Sequence, residues 1–219
     1  MTAPQVQRPI IFSAPMVRAI LKGRKTQTRR VVKPLPSWQV HSVCAPALAA
    51  QPWDVWFHFP ETERVGHMRT CPYGVPGDRL WVRETFCGAY SDDGGNSFEC
   101  RDLNGMQEVV FRADGVYPFP VRRWRPAIFM PRWASRITLE ITDVRVQRVQ
   151  EIGLEDCLAE GIDVPGRERM LKIGPINRAC DEAHSQAHFW QLWDSINAKR
   201  GFGWDTNPWV WAITFRSRP

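Results

Sequence analysis

Apolar and polar positions alternate along this chain in short stretches, some with strand period and some with helix period. Pro9-Ile10-Ile11-Phe12 reads as a strand. Ser13 then stands at a helix cap position, with Pro15 in the first turn, where its missing N–H costs nothing. Met16, Val17, Ile20 and Leu21 form an apolar stripe, and Gly23 is placed to end that helix in the left-handed conformation. From Thr26 to Val32 the chain reads as a strand, with Thr26, Thr28 and Arg30 on one face and Gln27, Arg29 and Val31 on the other. Residues 34–75 read as irregular, broken by prolines and carrying the aromatic cluster Trp53-Asp54-Val55-Trp56-Phe57.

A Gly77-Asp78 turn leads into Arg79-Leu80-Trp81-Val82-Arg83-Glu84, a strong strand signal, and residues 90–106 read as a polar loop. Arg136 to Ile141 alternates cleanly, then shifts register near Thr142-Asp143, which predicts one long bent or bulged strand. Gly153 to Gly161 predicts a short helix with Glu155 and Asp156 in its favourable first turn, and Asp181 to Lys199 a longer amphipathic one. Trp209 to Phe215 closes the pattern as a strand, with Trp209, Trp211, Ile213 and Phe215 on one side. Strands carrying a few helices in no βαβ rhythm predict an α+β fold around a small, curved or closed sheet.

Composition narrows the partners. With 29 basic and 23 acidic residues the net charge is +6, mild but compatible with an anionic partner such as RNA. Eleven tryptophans are many for 219 residues, and large flat rings serve either a core or stacking against bases. No apolar run is long enough to span a membrane, and the N-terminus lacks a signal pattern, so the expected location is the cytoplasm. The six cysteines show no Cys-x-x-Cys spacing and are expected as free thiols. Two pairs, His41 with Cys44 and His67 with Cys71, could supply zinc ligands, but nothing in their spacing fixes a site, and no metal is expected. Cys180, His184 and His188 share a helical face, which an ordinary partly buried face also explains.

Two stretches carry candidate chemistry. Lys25-Thr26-Gln27-Thr28-Arg29-Arg30 follows the first helix directly. A lysine becomes a base when burial disfavours its ammonium, and a threonine hydroxyl becomes a nucleophile when a base takes its proton. A solvated basic turn would look the same in sequence. Glu160 lies in the last turn of its helix, where the partly negative carbonyl ends disfavour a carboxylate, and such breaches of a local rule often have a functional reason. The second stretch, Pro120 to Arg136, interleaves Arg122, Arg123, Arg125, Arg132 and Arg136 with Trp124, Phe129 and Trp133. That mixture suits single-stranded nucleic acid, and equally a loop whose aromatics are anchored in the core.

Taken in order, Ile20-Leu21-Lys22-Gly23-Arg24-Lys25-Thr26-Gln27-Thr28-Arg29-Arg30, then Pro76-Gly77-Asp78-Arg79-Leu80-Trp81-Val82, then a strand and a short helix ending in Ala159-Glu160-Gly161-Ile162, resemble the ASCH domain family. The resemblance implies a PUA-like small β-barrel with flanking short helices, here as one elaborated domain over residues 1–219, with insertions near 34–70, 87–125 and 163–185. It further implies the activity of small bacterial relatives that are N4-acetylcytidine amidohydrolases. The positions matching their catalytic set are Lys25, Thr28 and Glu160. Arg30, Thr26 and Trp81 are then expected at the substrate. A modified cytidine nucleoside is the expected ligand, with no cofactor. The other function that a PUA-like fold hosts is non-catalytic RNA binding, and fold alone does not separate the two.

Overall fold

The computed structural model describes residues 6–33, 43–44, 54–58, 65–89, 108–117, 121, 123–162, 166–173 and 177–218. Its centre is a five-stranded sheet built from β1 (Gln7–Ile11), β2 (Gln27–Val31), β6 (Arg79–Arg83), β9 (Thr138–Arg148) and β10 (Trp209–Arg218). The spatial order is β1-β6-β9-β10-β2, with β1 parallel to β6 and every other pair antiparallel. The molecule is thus α+β. The sheet is open where a closed barrel was expected: among the described residues β1 and β2 are its two edges and do not pair. A side chain spans the seam instead, as Arg30 on β2 donates from its guanidinium to the Ile11 carbonyl on β1 at 2.7 Å.

Three helices and two clusters of buried side chains fix the sheet's faces. Helix α1 (Ala14–Leu21) packs Val17 and Ile20 onto Ile10, Phe12, Leu80, Val82, Leu139, Ile141, Trp211, Ile213 and Phe215. The opposite face, at the β10 end, carries α2 (Leu154–Ala159) and α4 (Arg178–Asn197), which bury Leu154, Cys157, Leu158, Phe189 and Trp193 with Val210. Period-two alternation therefore sends Trp211, Ile213 and Phe215 to one core and Val210 to the other, and both faces of β10 are dry. The register shift anticipated near Thr142-Asp143 is present: Thr214 opposes Asp143 but Phe215 opposes Ile141, which leaves Thr142 as the extra residue of a bulge.

The Gly77-Asp78 turn has a structural role. Asp78 accepts from the backbone N–H groups of Val6 and Val75, both at 3.2 Å, and pairs with Arg8 at 2.8 Å. One carboxylate thereby holds the parallel strand β1 against β6.

The stretch read as irregular between 34 and 75 is partly regular. It contains β3 (Val43–Cys44), β4 (Asp54–His58) and β5 (Val65–Thr70), joined as an antiparallel three-stranded sheet. β7 (Phe86–Ala89) and β8 (Glu108–Phe111) form a separate antiparallel pair, and α3 (Arg167–Ile173) falls in the third expected insertion. The polar loop at 90–106, His41 and Trp53 lie outside the described residues. Among the described residues no helix is long and apolar enough to cross a membrane, and no three His, Cys, Asp or Glu side chains are grouped to hold a metal. His184 and His188 meet edge to face at 4.8 Å on the surface of α4, and Cys180 is exposed.

Candidate active site

The exit of α1 aims Lys25 inward. Gly23 adopts φ +66°, the left-handed conformation that ends the helix, and the next two amides, of Arg24 and Lys25, both donate to the Ala19 carbonyl. The Lys25 side chain is buried completely beneath α1, beside Phe12. Its Nζ donates to three acceptors: the Gln27 carbonyl at 2.7 Å, the Glu160 carbonyl at 2.9 Å and Glu160 Oε2 at 2.6 Å. An ammonium has three N–H donors, and all three are used. Burial pushes the Lys25 pKa down, and the Glu160 carboxylate acts against that push without cancelling it.

This contact explains why a glutamate ends α2. A carboxylate at a helix C-terminus is disfavoured by the partly negative carbonyls, yet the Lys25 ammonium binds both that carboxylate and the terminal Glu160 carbonyl. The lysine caps the helix and neutralises the glutamate at once. The turn behind it must be tight. Gly161 has φ +77°, and a Cβ there would lie 2.6 Å from the Lys25 Cβ. Backbone bonds lock the two segments together, with Thr26 N donating to the Ala159 carbonyl and the Thr26 carbonyl accepting from Phe215 N, each at 2.8 Å.

A second set of charges lies alongside. Arg29 pairs with Asp156 Oδ2 at 2.7 Å and with Glu160 Oε1 at 3.4 Å, donates to Gln27 Oε1 at 2.5 Å and covers the Phe189 ring. Gln27 in turn donates to Asp156 Oδ1 at 3.0 Å. Burial acts to raise the Asp156 pKa, but Arg29, Gln27 and Arg145 outweigh it and hold the carboxyl below its ordinary value. Lys25 and Arg29 thus face Glu160 and Asp156, two charges against two. Asp156, Gln27 and Arg29 are not among the site residues expected from the sequence. The signal was available: Asp156 and Glu160 are four apart on one helix face, and Gln27 and Arg29 share one strand face.

A cavity of about 330 Å³ opens where the two sheet edges face each other, with α4 forming a wall. Thr28, Arg30 and Glu160 line it, together with Tyr73, Phe189 and Trp193. Arg30 lies over the Phe12 and Tyr73 rings, and its buried Nε has no hydrogen-bond partner. Lys25 sits behind Glu160 rather than on the cavity wall, and among the described residues no hydrogen bond joins it to Thr28. The remaining two expected residues are elsewhere. The Thr26 side chain is exposed ahead of β2. Trp81 is half-buried outside the cavity, because Leu80 and Val82 take the core side of β6, and Arg83 and Arg132 lie over its ring at 4.9 and 5.8 Å.

Comparison with protein-family models, with curated proteins and with solved structures finds no match for this chain.

The tight packing of Gly161 on Lys25 has a measurable consequence. Gly161→Ala combines a left-handed residue with a short Cβ contact, and is expected to destabilise the fold by about 2–4 kcal/mol. Urea unfolding reads this directly, and a loss below about 0.5 kcal/mol would contradict the packing described.

Proposed function

We propose that the protein is an amidohydrolase of ASCH type with a PUA-like sheet, removing the acyl group from N4-acylated cytosine nucleosides. The observation that carries the reading is the buried Lys25–Glu160 pair at 2.6 Å, whose glutamate lines the same cavity as Thr28. The ordered resemblance of the Lys25–Arg30, Gly77-Asp78 and Glu160 segments supports it, as does a cavity of small-ligand size.

In the proposed reaction the Thr28 hydroxyl oxygen attacks the acyl carbonyl carbon while its proton passes to the Glu160 carboxylate. Lys25 and Arg29 bear on that carboxylate as charge partners, so Lys25 acts through Glu160 rather than by touching Thr28. Arg30, with an unused buried N–H, stabilises the developing oxyanion. The C–N bond then breaks, and the N4 amine leaves with the proton from Glu160. Water cleaves the threonine ester, giving its proton to Glu160 and its oxygen to the acid product. The Thr28 oxygen regains a proton, and Glu160 ends as the carboxylate.

A second reading, a non-catalytic RNA-binding module, draws on one specific observation. Ile128, Phe129 and Trp133 are 58%, 59% and 57% exposed, and Arg132 stands among them. The rest of that basic stretch is less available: Arg136 is tied to Glu84 and Asp114, Trp124 packs edge to face on Tyr117, and Arg122 lies outside the described residues.

For the hydrolase, ultraviolet absorbance with N4-acetylcytidine should show conversion by the wild type and a loss of about a hundred- to ten-thousand-fold in Thr28→Ala and Glu160→Gln. No conversion by the wild type, or undiminished conversion by Thr28→Ala, would remove it. For the RNA module, single-stranded RNA should be retained in a salt-sensitive way and released on Phe129→Ala with Trp133→Ala. Retention unaffected by that pair removes this second reading.

A further inference from the structure

The charge around the cavity is unbalanced. Among the described residues Arg29, Arg30, Lys33, Arg83 and Arg200 line it, Lys33 with an interaction of its own, against Glu160 as the one carboxylate. Glu160 and Arg29 are already spent on each other, Lys25 and Asp156. Arg83 uses its Nε on the Met130 carbonyl, and Arg30 uses one N–H on Ile11. Among the described residues neither of them, nor Arg200, has a carboxylate at ion-pair distance. Burial weighs most against the Arg30 charge, Tyr73 and Glu160 favour it, and Arg200 is close enough to act against it. Arg83 and Arg200 thus stand at the cavity with no carboxylate at ion-pair distance among the described residues, placed to meet an anion. Their planar forks match phosphate oxygens in pairs.

The remaining wall has a different chemistry. Tyr73, Leu192, Trp193 and Ile196 give it an aromatic and aliphatic surface suited to a ring rather than to a small ion. A ligand that is flat and apolar at one end and doubly anionic at the other satisfies both halves.

We infer that the cavity takes a phosphorylated nucleoside, a 5′-monophosphate, with the phosphate held by Arg83 and Arg200 and the base against the aromatic wall. The inference rests on the cavity being the substrate site of the proposed hydrolase, and it narrows the substrate from nucleoside to nucleotide. Free phosphate shares the anion chemistry but leaves the aromatic wall unused.

The test is a titration of the full chain followed by tryptophan fluorescence, Trp193 lying in the wall, with cytidine, cytidine 5′-monophosphate and inorganic phosphate as the probes. The monophosphate should bind at least about ten-fold more tightly than cytidine, the scale expected of charge-assisted contacts. Arg200→Ala, at an exposed position, should reduce that ratio to near one. Equal affinities for cytidine and its monophosphate would overturn the inference. So would phosphate binding as tightly as the nucleotide, or an unchanged ratio in Arg200→Ala. Turnover of N4-acetylcytidine measured alongside separates the two claims. No turnover with a clear preference for the monophosphate sinks the hydrolase reading alone, and turnover without that preference sinks the phosphate site alone.

Discussion

A buried lysine ammonium needs every N–H satisfied and its charge opposed, and Lys25 meets both needs through one distant residue and one near neighbour. Glu160 supplies a carboxylate oxygen and a backbone carbonyl, and Gln27 supplies the third acceptor. Taking either partner away would leave a buried charge alone, a fault that typically costs about 3–5 kcal/mol. Much of the local architecture follows from avoiding it. The turn at Gly161 must let α2 approach the Lys25 backbone, α1 must close over the side chain, and β2 must begin directly after it. Burial also lowers the Lys25 pKa, because desolvation disfavours the ammonium more than Glu160 favours it.

The open seam of the sheet has the complementary role. A barrel closed by backbone pairing of β1 with β2 would have filled the space in which the cavity lies. The edges are instead tied by one side chain, Arg30 to Ile11, and α4 walls the gap with Phe189 and Trp193. Edge strands are usually a liability because their backbone groups invite other strands. Here the seam gives access to Thr28 and Glu160 while the rest of the sheet remains packed.

Local order was legible in the sequence wherever one segment settles its own structure. The apolar stripe of α1, the stop at Gly23, the bulge near Thr142 and the single-sided aromatics of β10 all follow from period and turn chemistry. The awkward position of Glu160 was legible too, as a carboxylate at the wrong helix end. Its reason was not, because the lysine that neutralises it lies 135 residues away in the chain. Trp81 shows a different failure. Its neighbours Leu80 and Val82 already assigned the inner face of the strand, so alternation alone places the tryptophan outside the core, and the family resemblance drew attention to the motif rather than to the face. Thr26 fails for a backbone reason: its N–H and carbonyl join α2 to β10 while its side chain stays in solvent. The small sheet of β3 to β5 was hidden because prolines punctuate the stretch around it.

The most direct test of this account is the state of the Lys25 side chain itself. Nitrogen-detected NMR of the full-length protein at neutral pH should show a Lys25 ammonium whose hydrogens exchange slowly with water, as three filled hydrogen bonds require. Glu160→Gln, which removes the opposing charge but leaves the two backbone carbonyls, should weaken that protection measurably while the other lysines stay unchanged. A rapidly exchanging Lys25, or a protected one indifferent to Glu160→Gln, would contradict the pairing on which the rest depends.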